Sequence, residues 1–230
     1  MFDLDDTLCD YATARQMRLR RAFTDACNRR SSAGKRVDLE QMIADSIRMH
    51  PHGADHFAEL FSRYGIDDPA SAREAAAWYR NNRFFALNLF PEARKVLLAI
   101  RHLATERIRP RRRPMGIITN GPAEVQRAKL ELMGVFELVD FAVISEDFGV
   151  AKPDPAIFQE ALHKAGSRAD QAVYIGDSVE FDMTGARAAG IPSVWLNRYG
   201  ASWSEMGWSP DRQIASLQEL PRLVASGVAN

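Results

Sequence analysis

The opening residues Phe2-Asp3-Leu4-Asp5-Asp6-Thr7-Leu8 set two carboxylates one residue apart and follow them with a hydroxyl. At the end of an extended strand, residues i and i+2 point the same way, so Asp3 and Asp5 can address one site. Carboxylates that close repel each other unless a cation or a shared proton lies between them. Further along come Thr119-Asn120-Gly121, then Lys152, then Gly176-Asp177-Ser178 with Asp182 close behind. Together these make a set of four carboxylates, one ammonium, a hydroxyl and a helix N-terminus. Hard oxygen ligands without soft partners favour Mg²⁺, which keeps several waters and bridges to a phosphate. Lys152 and the amides of Asn120 and Gly121 supply positive potential for the same anion.

Each piece alone has a plain reading: a turn before a helix at 119–121, a surface lysine at 152, a strand-ending turn at 176–177. Their order along the chain argues for a site. From Pro91 onward helices and strands alternate: helix 91–104, strand Met115–Thr119, helix 122–133, strand Leu138–Ile144, helix 155–165, strand Ala172–Ile175, helix 180–189 and strand Ser193–Leu196. Short apolar runs without period-two alternation suit strands buried on both faces, and alternation with helices predicts an α/β fold with a doubly wound parallel sheet. Such a sheet gathers the carboxyl ends of its strands, and with them all the polar pieces, at one rim. Gln213-Ile214 reads as a short edge strand, and Ser216 with Glu219 as the capping box of a closing helix.

Between Cys9 and Asn88 the pattern is helical. Leu19, Ala22, Phe23 and Ala26 fall at i, i+3, i+4 and i+7. Asp38 with Gln41 reads as a capping box, Gly65 as a helix stop, and Asp68-Pro69 as a cap with proline at the first helical position. The expected organisation is a core of residues 1–9 and 89–230 with an all-helical insert at 10–88.

Among 230 residues, 30 basic and 30 acidic side chains cancel, which argues against a nucleic-acid or membrane-surface binder. The tract Arg107-Ile108-Arg109-Pro110-Arg111-Arg112-Arg113-Pro114 leads into a strand and so belongs at the edge opposite the site, as a solvated loop. His50, His52 and His56 surround Pro51 and Gly53 without a zinc-like spacing and read as a polar connection. Two cysteines, Cys9 and Cys27, and no signal-like apolar opening point to a cytoplasmic protein. A monomer or a homodimer is expected, with no membrane partner.

The motifs F-D-L-D-D-T-L at 2–8, I-I-T-N-G at 117–121, G-V-A-K-P-D-P-A-I-F at 149–158 and G-D-S-V-E-F-D-M-T-G-A-R-A-A-G at 176–190 make the chain resemble the haloacid dehalogenase superfamily, in the branch with a helical cap after the first motif. The resemblance implies a Rossmann-like core with Asp3 as nucleophile, giving an aspartyl-phosphate, and Asp5 as general acid and then base. It implies Mg²⁺ held by Asp3, the main-chain carbonyl of Asp5, and Asp177, with Asp182 steadying the lysine or a metal-bound water. Lys152 and Thr119 would grip the phosphoryl oxygens, and Thr7 with the Asn120 and Gly121 amides would complete the cradle. Dehalogenase members carry no carboxylate at the place of Asp5, so that residue points to phosphate monoesters.

The expected activity is therefore a Mg²⁺-dependent phosphatase of small phosphate esters. Phosphomutase activity and a non-catalytic phosphate- or metal-binding regulator remain open beside it. Tyr11 could stack on a substrate ring and Arg15 or Arg18 meet a second anionic group; equally, Tyr11 could pack at the hinge and the arginines line a solvated helix face. The stretch S-V-W-L-N-R at 193–198 is similar to one in pyrimidine-nucleotide phosphatases of this branch, which tilts the substrate towards a nucleotide or another small metabolite phosphate. Only Met1 and Phe2 precede Asp3, where a buried parallel strand runs about five or six residues. That shortness suggests a native start upstream of Met1, or else a weakened first strand and a poorly held Asp3.

Overall fold

The computed structural model describes residues 1–32, 37–49, 55–106, 114–203 and 207–226. The chain divides into two compact units, Tyr11–Leu87 and the remainder, Met1–Asp10 with Asn88–Asn230.

Tyr11–Leu87 holds four helices, α1 Tyr11–Ser32, α2 Leu39–Arg48, α3 His56–Arg63 and α4 Pro69–Asn81, and no strand among its described residues. The stripe Leu19, Ala22, Phe23 and Ala26 is buried, and Phe23 meets Phe57 and Phe61 edge-on at 5.4 and 5.6 Å between ring centres. Asp38 caps α2 by accepting from the Gln41 amide (3.0 Å), but the Gln41 carboxamide reaches forward to Asp45 (2.9 Å), so only half of the expected capping box forms. Gly65 ends α3 with φ of 66°, and Asp68 accepts from the Ala70 amide ahead of α4. His56 is buried against the Ser46 hydroxyl at 2.9 Å, a satisfied core pair. His50 and His52 lie outside the described residues, as does the tract at 107–113.

In the other unit α5 Ala93–Glu106, β1 Gly116–Thr119, α6 Ala123–Leu132, β2 Phe141–Ile144, α7 Ser145–Phe148, α8 Pro155–Ala165 and β3 Tyr174–Gly176 follow in turn. A π-helical turn, Val179–Met183, leads into α9 Thr184–Ala188, and β4 Ser193–Leu196, β5 Arg212–Ile214 and α10 Leu220–Ser226 close the chain. Strands β1 and β2 pair in parallel, as do β3, β4 and β5. The opening residues join the two sheets, with Phe2 bridging Ile117 on one side and Ile175 on the other, both in parallel. With the opening residues counted as the first strand, the order is that of a doubly wound Rossmann-like sheet, and the chain reverses direction between that first strand and β3.

The stub is short, yet both of its edges are bonded. Phe2 N donates to Gly116 O, Ile118 N to Phe2 O, Ile175 N to Met1 O and Asp3 N to Ile175 O, at 2.9 to 3.0 Å. Asp3 is therefore held in place rather than loose. Ile118, Val143, Phe158, Tyr174, Met183 and Trp195 pack a core beside it. The outgoing and returning connections run antiparallel: Cys9 bridges Leu89, Asp10 N donates to Asn88 O (3.0 Å) and Phe90 N to Leu8 O (2.9 Å). Ser216 and Glu219 form the expected capping box ahead of α10.

Candidate active site

Ligands of doubly wound sheets bind beyond the carboxyl ends of the strands where the chain reverses, and here those ends carry Asp3 and Asp177. Lys152 reaches the same place from the loop between α7 and α8. Its ammonium lies 2.5 Å from Asp3 Oδ1 and 2.7 Å from Asp182 Oδ1, and it also donates to the Tyr174 hydroxyl (3.1 Å). The loop is fixed by Asn120: its carboxamide accepts from the Lys152 amide (2.8 Å) and donates to the Lys152 carbonyl (3.0 Å).

Asp182 is aimed by the local backbone. In the π-helical turn the amides of Asp182 and Met183 both donate to Ser178 O (3.0 Å each), which turns the carboxylate back to accept from the Ser178 amide at 3.0 Å. Tyr174 donates to its other oxygen at 2.9 Å. With Lys152 added, both Asp182 oxygens are occupied by protein donors. Gly176 leaves the room for this, since a Cβ there would stand 2.4 Å from Asp182 Cγ. Asp177 accepts from the Thr7 hydroxyl (3.0 Å), and its carbonyl accepts from the Trp195 indole (2.8 Å).

Carboxylate oxygens of Asp3, Asp177 and Asp182 lie within 4.8 Å of one another. With all three carboxylates ionised and one ammonium present, this largely buried cluster is two charges negative, a deficit that a divalent cation matches. The side chains respond accordingly. Burial pushes the Asp3 carboxyl well above its usual range, Lys152 pulls the other way, and Asp182 and Asp177 push further up. Burial and the neighbouring Asp182 and Asp6 raise Asp177 to about 7 against the Thr7 hydrogen bond. Burial alone would lower Lys152, but Asp182 and Asp3 together hold its ammonium above the ordinary lysine range. The donor set thus fits Mg²⁺, with Asp3 and Asp177 better able to ligate than Asp182, whose oxygens already hold Lys152, Tyr174 and the Ser178 amide.

Asp5 sits apart from this cluster. Its two oxygens accept from Lys129 Nζ at 2.8 and 2.7 Å and from Gln126 Nε2 at 3.2 Å. Gln126 also donates to Thr119 Oγ1 (2.5 Å) and to the Asn120 carbonyl (3.0 Å). The Gly121 amide donates to Ser145 Oγ (2.9 Å), and Glu146 accepts from the Ala123 amide (2.7 Å), so α7 seats the start of α6.

The sequence carries the same message as this geometry. A model of haloacid dehalogenase-like hydrolases matches residues 1–190. The chain belongs to that family. It is 30% identical over 208 residues to glyceraldehyde 3-phosphate phosphatase of Methanopyrus kandleri, covering 86% of this chain and 83% of that protein. Pyrimidine 5′-nucleotidase YjjG of Escherichia coli is 40% identical over 111 residues, 48% of this chain and 49% of that one. The fold is that of HAD-hydrolase YfnB of Bacillus subtilis, with a TM-score of 0.71 at 24% identity over 97% of this chain and 96% of the other. As a family member related to named phosphatases, the chain is an enzyme of the phosphoric monoester hydrolase kind.

Within this haloacid dehalogenase-like framework, Asp3, Thr7, Lys152, Asp177 and Asp182 converge, while Asn120 and the Gly121 amide are engaged within the protein. Arg15 lies in the helical unit and donates to Ile47 O at the end of α2 (3.2 Å); Tyr11 is the first residue of α1. Arg18 lies 3.8 Å over the Tyr79 ring and bonds Arg83 O. In the 193–198 stretch, Trp195 serves Asp177, and Arg198 pairs with Glu92 (2.6 Å) over the Phe90 ring. Sequence reasoning passed over Lys129, Gln126 and Tyr174. One signal was present: Gln126 falls on the buried stripe of Ala123, Leu130 and Met133, where a polar side chain needs partners. No helix among the described residues is long and apolar enough to cross a membrane.

Proposed function

We propose that this enzyme hydrolyses small phosphate monoesters through an aspartyl-phosphate on Asp3, with Mg²⁺ at Asp3 and Asp177. The observation that carries the reading is the Asp3–Lys152–Asp182 chain beside Asp177, a buried nucleophile and a fixed ammonium in a pocket short of two positive charges. Bound Mg²⁺ would supply charge neutralisation between the nucleophile and the phosphoryl oxygens.

In the first step an Asp3 oxygen forms a bond to phosphorus as the ester P–O bond breaks, and Asp5, which must enter this step as the protonated acid rather than as the carboxylate paired with Lys129, gives that proton to the departing oxygen. In the second, water adds to phosphorus, its proton passes to Asp5, and the bond from phosphorus to Asp3 breaks, releasing inorganic phosphate. Lys152 and the Thr119 hydroxyl bind the phosphoryl oxygens, and Asp182 with Tyr174 keeps Lys152 aimed. Thr7 orients Asp177. The helical unit serves as the cap that reads the leaving group, with Tyr11 and Arg15 in its first turns, and the connections near Asp10 and Asn88 are its hinges. The substrate class is a small phosphorylated metabolite, of the kinds named for the relatives.

The test is hydrolysis of p-nitrophenyl phosphate with Mg²⁺ and with EDTA. Asp3→Asn should lower turnover by roughly four orders of magnitude or more. Turnover unaffected by that change would reject Asp3 as nucleophile.

A further inference from the structure

Gln126 and Lys129 stand one turn apart on α6, 1% and 4% exposed, and neither belongs to the phosphate-handling set above. A buried ammonium and a buried carboxamide need partners, and both find the same one, Asp5. Lys129 spans the two Asp5 oxygens at 2.8 and 2.7 Å. Gln126 Nε2 donates to Asp5 Oδ2, to Thr119 Oγ1 and to the Asn120 carbonyl. Two of those three are acceptors only, so this atom is the nitrogen. The Thr119 hydroxyl accepts from it as well, which leaves its own proton to be donated elsewhere. Cys9 adds a weak thiol donor to Asp5 Oδ1 at 3.4 Å.

We propose that Lys129 and Gln126 are positioning residues for proton transfer to the leaving group: they hold the Asp5 carboxyl at a set distance from the phosphate grip of Thr119. The inference rests on the phosphatase reading with Asp5 as acid and base. Because α6 starts at the 120–121 turn that also clamps Lys152, one helix ties the acid, the hydroxyl and the ammonium to a common frame. Asp5 itself is a quarter exposed, so without these two partners its side chain has room to turn away.

The effect is separable from mere destabilisation by the choice of ester. Nitrophenolate departs readily without a proton, whereas phenolate depends on one. Lys129→Met should therefore lose about tenfold more kcat on phenyl phosphate than on p-nitrophenyl phosphate, within the range general acids contribute, and Lys129→Arg should restore part of the difference. If the methionine variant fails to fold by circular dichroism, Lys129→Gln is read the same way. Equal losses on the two esters in a folded variant overturn the positioning role alone. A wild-type enzyme that hydrolyses neither ester with Mg²⁺ overturns the phosphatase reading and this inference with it.

Discussion

Asp3 and Asp5 are two residues apart and each is met by a lysine, yet the two pairs are opposite in kind. Lys129 spans both Asp5 oxygens with its ammonium, Gln126 adds a neutral donor, and a quarter of the carboxylate's surface is open to water. Lys152 is shared by Asp3 and Asp182, all three almost fully shielded, with the half-buried Asp177 close by. The first pair is balanced. The second is not, and in a medium of low dielectric an uncompensated charge is costly. The lesson is that the alternating D-x-D spacing distributes its two carboxylates between a neutral arm and an acidic pocket, and only the pocket is left wanting a cation.

The largest way to break that contrast is Lys152→Met. It strands three carboxylates, and removing one partner of a buried ion pair costs about 3–5 kcal/mol. For a chain of this size that corresponds to a fall in melting temperature of about 10 °C without Mg²⁺, with turnover of p-nitrophenyl phosphate abolished. Lys129→Met should lower the melting temperature far less, because water can solvate Asp5. Equal falls in thermal melts of the two variants would erase the distinction between the pairs.

A smaller effect is expected from Gly176→Ala. The added methyl would meet the Asp182 carboxylate at 2.4 Å and displace it from Lys152. Overpacking of this kind costs about 1–3 kcal/mol, seen as a shift in urea midpoint, and Asp5 would be untouched by it.

The smallest, and the one that reads the charge deficit directly, is a pH dependence. Asp177, with a value of about 7 against an ordinary 3.8, keeps a proton in the folded metal-free protein that the unfolded chain gives up. Its contribution to metal-free stability is therefore fully present below pH 3.8 and is lost as pH rises through about 7. Mg²⁺ needs the ionised carboxylate, so its affinity by calorimetry should tighten about tenfold from pH 6 to pH 8, and added Mg²⁺ should recover the stability lost. An affinity flat across that interval would mean that Asp177 is already ionised and the pocket less acidic than its geometry implies.

The amino-acid sequence by itself determined the alternation of helices and strands after Pro91, the helical insert, and the order of the polar pieces after each strand. Period, caps and turn residues act over a few neighbours, so they are visible in the string. It left the strand at 138–144 too long, since only Phe141–Ile144 pair with β1, and it read the first strand as a weakness. Tertiary structure decided that Met1–Asp3 is bonded on both edges by strands more than a hundred residues away. It also decided that the Asn120 carboxamide clamps the Lys152 loop, that a π-helical turn aims Asp182, and that Asp5 belongs to Lys129 and Gln126. Apart from the local turn at Ser178–Asp182, those pairings join residues remote in the chain, and their strength comes from burial, which depends on every layer packed around them and on no single stretch of sequence.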